Sequence, residues 1–424
     1  RSSDLDLDIA VAYNRSTKRA LGMYDLVKAP NGAACETFLK LEEDAESAVK
    51  TITPLDPGEA DVVVTYYNEE TKKSLQRKVH LVVTYGIPWN DNEPSDFPGG
   101  NGAINDPYLI QNATQLLRVA NDKEVYNRSD MYYRLTNDIF LNTSLLQADE
   151  TAKSGAKVWT PVEWHANLDG SGNSIYGAYI TSYITNATFS RQHGDQTFTH
   201  KENVSGLFSI LSGYVHDMGI VDSYLSINPS TSDAVRSGLL CGLMTGDAKA
   251  ERCIFHGIVD NKNHCAGVVG HATDIDAYES ALRNKNIYFD CGSIEDCFAC
   301  VHVEYGLQKN NPTSPTGSTG SGIAGSGIKK INRCVFTGKV ENFYTRRGIA
   351  SSSSNNSESD ISTWYFDKQQ MTAEFQTTQD RGEHTTAEMI GGDIFAGNSV
   401  WQHEKGRYPM LKQFAKTPYG DILS

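Results

Sequence analysis

Nothing in this 424-residue chain is built to cross a bilayer as a helix, because it contains no apolar run approaching the roughly 18 residues that a span requires. It also lacks a basic excess. Thirty-eight Lys and Arg stand against 52 Asp and Glu, a formal charge of −14 with no compensating basic cluster, which excludes nucleic acid and anionic membranes as partners. The Ala/Leu/Glu/Lys signature of long helices is missing. Gly, Ser, Thr, Asn and Tyr are plentiful instead and point to a β-rich chain with many turns. No charged and then apolar leader opens the sequence at Arg1, so an export signal has been removed or never existed.

Chemistry-bearing signatures are equally sparse. No two aspartates are adjacent anywhere, and the His-Arg/Lys signatures of polygalacturonase-like enzymes are not found. Eight cysteines occur, seven of them between Cys241 and Cys334, but a domain this large is stable without staples.

What is present divides the chain in three. Residues 1–87 read as a small Ig-like β-sandwich. Asp4 to Ile9 alternate at the strand period, Leu55-Asp56-Pro57-Gly58-Glu59 is a turn, and Ala60–Tyr67 with Val79–Tyr85 form a hairpin through Asn68-Glu69-Glu70. Residues 88–106, punctuated by Pro88, Pro94 and Pro98 with Pro107 just beyond, have linker composition. Residues 107–424 follow a different grammar. A short strand at Tyr108-Leu109-Ile110 precedes an amphipathic helix from Ala113 to Asp122, with Asn112 as its N-cap. A helix ahead of a long β stretch is expected to cover the open end of a solenoid.

Two patterns then alternate. A small residue followed by an apolar pair occurs at Gly206-Leu207-Phe208, Gly238-Leu239-Leu240, Gly267-Val268-Val269, Cys300-Val301-His302 and Gly348-Ile349-Ala350, advancing by 32, 29, 33 and 48 residues. An apolar triplet occurs at Gly219-Ile220-Val221, Cys253-Ile254-Phe255, Ile287-Tyr288-Phe289, Cys334-Val335-Phe336 and Trp364-Tyr365-Phe366, advancing by 34, 34, 47 and 30. Periods of this length mean stacked units that bury their apolar side only against neighbours. Each unit has two or three apolar clusters where a propeller blade needs four strands, so a right-handed parallel β-helix of about five turns is expected, with Gly306–Ile331 and Ser351–Ser357 as exposed loops.

The order of Asp106-Pro107-Tyr108-Leu109-Ile110, Leu135-Thr136-Asn137-Asp138-Ile139, Trp159-Thr160-Pro161-Val162, Leu168-Asp169-Gly170-Ser171-Gly172, Val204-Ser205-Gly206-Leu207-Phe208 and the closing Val400 to Lys412 resembles the GLUG-repeat adhesin-like proteins. The resemblance covers most of residues 100–412. Cys300 and Glu163-Trp164 depart from it, standing where glycine is usual. It implies a right-handed β-helix, secreted or anchored at the outer surface of Gram-negative gut bacteria, often behind Ig-like modules.

Candidate site residues follow from these readings. Cys291, Cys297, Cys300 and His302 offer four zinc-ligand types, but strand geometry sends Cys297 to one face and Cys300 and His302 to the other. Stacked buried thiols are the expectation, and a disulfide between stacked cysteines stays open. Asp169-Gly170-Ser171-Gly172-Asn173 lacks the acid that would complete a calcium loop, since Ile180 occupies its twelfth position, and reads as a turn. No cofactor or metal is expected. If the scaffold were a polysaccharide lyase or hydrolase, the first catalytic candidates are Asp290, Asp367 and His256, each following an apolar triplet on one column. For binding, Tyr176, Tyr179, Tyr183, Tyr214 and Tyr224 are the candidate sugar platform. The expectation is a monomeric adhesin whose partner is a glycan or a surface protein, with a polysaccharide-active enzyme as the alternative.

Overall fold

In a computed structural model the described residues are 7–14, 19–20, 27–28, 39–43, 50–54, 58–68, 73–84, 89–90, 92–147, 149–193, 196–228, 234–261, 264–273, 291–305, 319–343, 345–352, 360–370 and 382–415. The chain is predominantly β, with long parallel sheets and two α-helices among these residues. It separates into two compact units, Arg1–Pro88 and Trp89–Ser424.

The first unit contains a five-stranded sheet. Gly58–Asn68 runs antiparallel to Lys73–Thr84, which in turn lies parallel to Leu7–Asn14. Leu39–Glu43 and Lys50–Pro54 form a separate antiparallel pair. Asp4 and Asp6 lie outside the described residues.

The second unit is repetitive. One six-stranded parallel sheet joins Val162–Trp164, Phe208–Leu211, Cys241–Met244, Val269–Ala272, Ala324–Ser326 and Ala350–Ser352. A second six-stranded sheet contains the long antiparallel hairpin Ile184–His193/Gln196–Ser205, followed by Val235–Ser237, Cys265–Ala266, Thr319–Ser321 and Thr345–Arg347, all parallel. A sixteen-stranded sheet carries the remaining strands of each repeat. At one corner in each of four successive repeats its backbone takes a left-handed residue: Asp217 (φ 54), Arg252 (φ 51), Asp296 (φ 49) and Arg333 (φ 50).

Period-2 alternation explains the core. Ile175, Ile220, Phe255, Ala299, Phe336 and Phe366 share one column of the large sheet and belong to the main buried cluster, as do Leu168, Val215, Ala250, Ile294 and Ile331 from the strands just before them. The flanking residues Val221, Ile254, Phe298 and Val335 point to the opposite face, where Met389, Ile394, Trp401, Met410, Leu411 and Phe414 of the C-terminal segment cover them. Covering both faces is why these strands read as unbroken apolar triplets rather than as alternating ones.

Helix α1 (Ala113–Asn121) starts at Asn112, whose side chain accepts from the Gln115 amide at 2.9 Å, and it buries Ala113, Leu116, Val119 and Ala120. Helix α2 (Thr386–Met389) opens the C-terminal segment with a capping box between Thr385 and Glu388.

Register corrects the expected repeats in two places. The small-residue pattern continues through Gly322-Ile323-Ala324, not Cys300-Val301-His302. The amides of Gly267 and Gly322 donate to Ser321 and Arg347 carbonyls, and a Cβ on Gly267 or Gly322 would lie 2.2 or 2.0 Å from the next repeat's glycine oxygen. Cys300 instead pairs with His256 in the large sheet. Gly322 was hidden because it follows a Gly/Ser/Thr tract that reads as an exposed loop, yet Thr319–Ser321 and Ala324–Ser326 are strands. In the triplet series the place expected for Ile287-Tyr288-Phe289, which lies outside the described residues, is taken by Cys297-Phe298-Ala299, paired with Cys253-Ile254-Phe255 on one side and Cys334-Val335-Phe336 on the other. Ser353–Ser357 also lie outside the described residues.

Candidate ligand-binding face

Immediately before each of these left-handed corners the chain repeats a polar-apolar-polar strand, Tyr214-Val215-His216, Lys249-Ala250-Glu251, Ser293-Ile294-Glu295 and Lys330-Ile331-Asn332, and Asn167-Leu168-Asp169 is a fifth, two residues before the left-handed Ser171. The central residues enter the core, so the flanking residues must face outward. Parallel register stacks them into two columns, Arg134–Asp169–His216–Glu251–Glu295–Asn332 and Tyr132–Asn167, continued by Tyr214–Lys249–Ser293–Lys330. Adjacent strands put neighbours in a column about 4.8 Å apart.

Charge alternates along this face and is consumed within it. Arg134 Nε donates to Asp169 Oδ2 at 2.8 Å. Lys249 Nζ lies 3.1 Å from both Glu251 Oε1 and Glu295 Oε1, and Lys330 Nζ lies 2.9 Å from Glu295 Oε2. The Tyr214 hydroxyl donates to Glu251 Oε2, and its ring packs 4.5 Å from that of His216. Burial would raise the Glu251 carboxyl, but Tyr214, Lys249 and Arg252 outweigh it and hold the group below its usual range. Burial and the Glu251 carboxylate push the Tyr214 phenol up.

Along the edge of the face the left-handed residues form their own ladder. Arg252 Nε and Nη2 each donate to Asp217 at 2.7 Å, and Arg333 does the same to Asp296 at 2.7 and 2.5 Å. Burial opposes ionisation of Asp217, yet Arg252 and His216 hold it well below the ordinary carboxylate range.

Asp169, His216 and Asp217 bring three metal-ligand types together, with His216 Nδ1 2.6 Å from Asp217 Oδ2 and 3.7 Å from Asp169 Oδ1. The donor set does not suit a cation, because Arg134 holds one carboxylate and Arg252 takes both oxygens of the other. Ser171 N donates to Asp169 Oδ1 at 2.7 Å, so the Asp169–Asn173 segment is a turn closed on its own aspartate.

The tyrosines expected as one platform divide among several places. Tyr214 lies half-buried on the polar face. Tyr176 is buried against Phe140, ring centroids 4.7 Å apart, in the cluster under the C-terminal segment. Tyr179 and Tyr224 pair in register on another stretch and pack with Leu145 and Ile258. Tyr183 packs on the main core. A single column does not form because the five lie on different stretches of the sheets, with Tyr176 and Tyr224 buried and the other three half-buried.

Of the catalytic candidates, Asp290 lies outside the described residues. His256 and Asp367 do share a column, but Cys300 and Thr337 stand between them, a separation of three strand spacings or about 14 Å, beyond acid/base reach. Asp367 is fully buried and accepts from the Tyr408 hydroxyl at 2.7 Å and the Gln369 amide at 2.9 Å. Burial pushes the His256 imidazole down to about 4, and its Nδ1 accepts from the Asp222 amide. Cys297 stacks between Cys253 and Cys334 inside the core while Cys300 and His302 occupy the other face, so the four zinc-type ligands do not converge. The seven described cysteines are free thiols.

The polar face was missed in sequence because its residues are ordinary one by one. The signal was present: polar-apolar-polar, then Asp or Arg, then Cys or Met, as in Tyr214 to Met218, Lys249 to Cys253, Ser293 to Cys297 and Lys330 to Cys334. No protein-family model matches the chain, and no curated protein matches it.

Proposed function

We propose that the second unit is a right-handed parallel β-helix, closed at its N-terminal end by α1 and carried behind an Ig-like module, and that it acts as an extracellular adhesin-like protein that binds glycans or other surface ligands through its polar face. The reading of the fold is supported by the strand-by-strand parallel register of three sheets and by Leu116 and Val119 of α1 entering the same core as the stacked strands. The functional reading rests chiefly on one observation, the outward ladder from Arg134 to Lys330, whose donors and acceptors recur from strand to strand in parallel register. Such a surface meets an extended chain of hydroxyls with a repeating set of partners. Its carboxylates are tied to Arg, Lys or Tyr in pairs, the opposite of an acid and a base held ready for proton transfer. Export to a bacterial surface follows from the family resemblance.

Glycan-array binding paired with a reducing-end assay tests this function. The expected result is binding that weakens about tenfold in a Tyr214→Ala/Lys330→Ala variant, with no new reducing ends. New reducing ends from any bound glycan, or an array without binding, would sink it.

A further inference from the structure

Away from the polar face, the two six-stranded sheets approach each other at a tight seam. A Cβ on Gly242 would lie 2.5 Å from the Ser205 amide nitrogen, and one on Gly270 would lie 2.6 Å from that of Ser237, so backbone of one sheet abuts backbone of the other. Only glycine permits that approach. Outward side chains on either side of the seam consequently converge. Glu202 is their meeting point: Arg236 Nε donates to Oε1 at 2.7 Å from the strand beside it, and His271 Nδ1 lies 2.8 Å from Oε2 across the seam. His264 follows Arg236 in the next strand, since Ser237 pairs with Cys265.

These groups are arranged for an anion. Glu202, with a side chain 12% exposed, holds the Nε side of the guanidinium and fixes its plane. The two Nη groups of Arg236 and both ring nitrogens of His264 have no hydrogen-bond partner among the described residues. Burial, and then the charges of Arg236 and His271, push His264 down to about 4, so at neutral pH it is an uncharged imidazole that can both donate and accept. A metal ion would sit against the guanidinium, which argues against a cation as occupant. A carboxylate fits the planar Nη edge, and a neighbouring imidazole suits an adjacent hydroxyl. A carboxylate and a hydroxyl on neighbouring atoms, offered to a largely neutralised cluster in a chain of charge −14, describe a sugar acid more closely than a polyanion.

We infer that Arg236 and His264, positioned by Glu202 and His271, form a subsite for a uronic-acid residue of a glycan. The inference rests on the glycan-binding reading and deepens it with a second site, away from the face described above. Titration calorimetry of the full chain with trigalacturonate and with the neutral galactotriose tests it. The acidic trimer should bind, the neutral one should bind at least tenfold more weakly, and Arg236→Gln should remove the difference. Arg236→Lys should recover only part of it, because the charge remains while the fork is lost. Binding of both trimers without preference for the acidic one marks failure of this subsite alone, whereas binding of neither marks failure of the polar face as well. Thermal midpoints of the variants are compared with that of the parent, and His264→Gln gives a second variant if Arg236→Gln does not fold. No binding of trigalacturonate, equal binding of both trimers, or undiminished preference in Arg236→Gln or His264→Gln would overturn it.

Discussion

The indole N–H of Trp401 donates to Oδ1 of Asp296 at 2.8 Å, across 105 residues of chain. Asp296 is also the partner of Arg333, so one carboxylate ties the edge ladder of the large sheet to the segment that covers its outer face. Trp401→Phe keeps most of the packing and loses the bond, and should cost about 1–3 kcal/mol. Trp401→Ala also empties a fully buried site and should cost about 3–5 kcal/mol. Chemical denaturation measures both, and an apolar dye should bind the alanine variant as Ile254, Phe298 and Val335 lose cover. Equal stability of the two variants would show that the segment is not a packed layer.

Arg252 carries both an ion pair and a left-handed backbone. Arg252→Ala removes the pair and keeps the strained conformation, whereas Arg252→Gly removes both. The alanine variant should therefore be less stable than the glycine variant by about 1 kcal/mol, contrary to the usual order of the two residues in a strand. The Asp217 carboxyl titrates lower folded than unfolded, so its contribution is present above the unfolded pKa and is lost as pH falls through the folded one. Both Arg252 variants should lose less stability on acidification below about pH 4 than the parent does.

Asp222 has the opposite sign. It is 6% exposed, and burial raises its carboxyl to about 6, although the amides of Leu145 and Leu146 donate to it at 2.7 and 3.0 Å and lower it in part. A raised folded pKa gives a contribution that is complete below about pH 4 and lost as pH rises through about 6. The stability of the parent relative to Asp222→Asn should therefore rise by on the order of 2–3 kcal/mol between pH 7 and pH 4. A flat difference would show that the carboxylate is compensated at neutral pH.

Gly322→Ala should be severely destabilising, by about 3 kcal/mol or more, because the new methyl would meet the Gly348 oxygen at 2.0 Å while the amide hydrogen bonds of Gly322 and Ile323 hold that spacing. Gly246→Ala, at φ +59 with nothing within 4 Å of its Cβ, should cost only about 1 kcal/mol of backbone strain. Thermal midpoints of the pair test whether residue 322 lies at a stacked corner or in a free loop.

Cys253, Cys297 and Cys334 are fully buried, and burial, then the adjoining thiols, push Cys297 well above the ordinary thiol range. None of the three should react with iodoacetamide in the native protein, and all should react once it is unfolded. Peptide mapping that finds Cys297 labelled in the native state, or joined to a neighbour as a disulfide, would contradict the stacked-thiol core.

Residues whose role is set by alternation or local capping could be read from the sequence: the Asn112 cap, the outward and inward sides of Cys297 and Cys300, and four of the five apolar triplets. The β-rich character and its stacked, parallel organisation follow from the same local rules. Which residues stack on which did not follow, since insertions change the spacing between repeats and let Cys300 stand in for Gly322. Nor did burial of Tyr176 and Asp367, because a segment near the C-terminus covers a face that period-2 reasoning leaves open. The seam group of Glu202, Arg236, His264 and His271 had no sequence signature at all. Glu202 and His271 are 69 residues apart and meet only because glycines let two sheets touch, so alternation within strands was the sequence's part and contact between strands was decided by the tertiary fold.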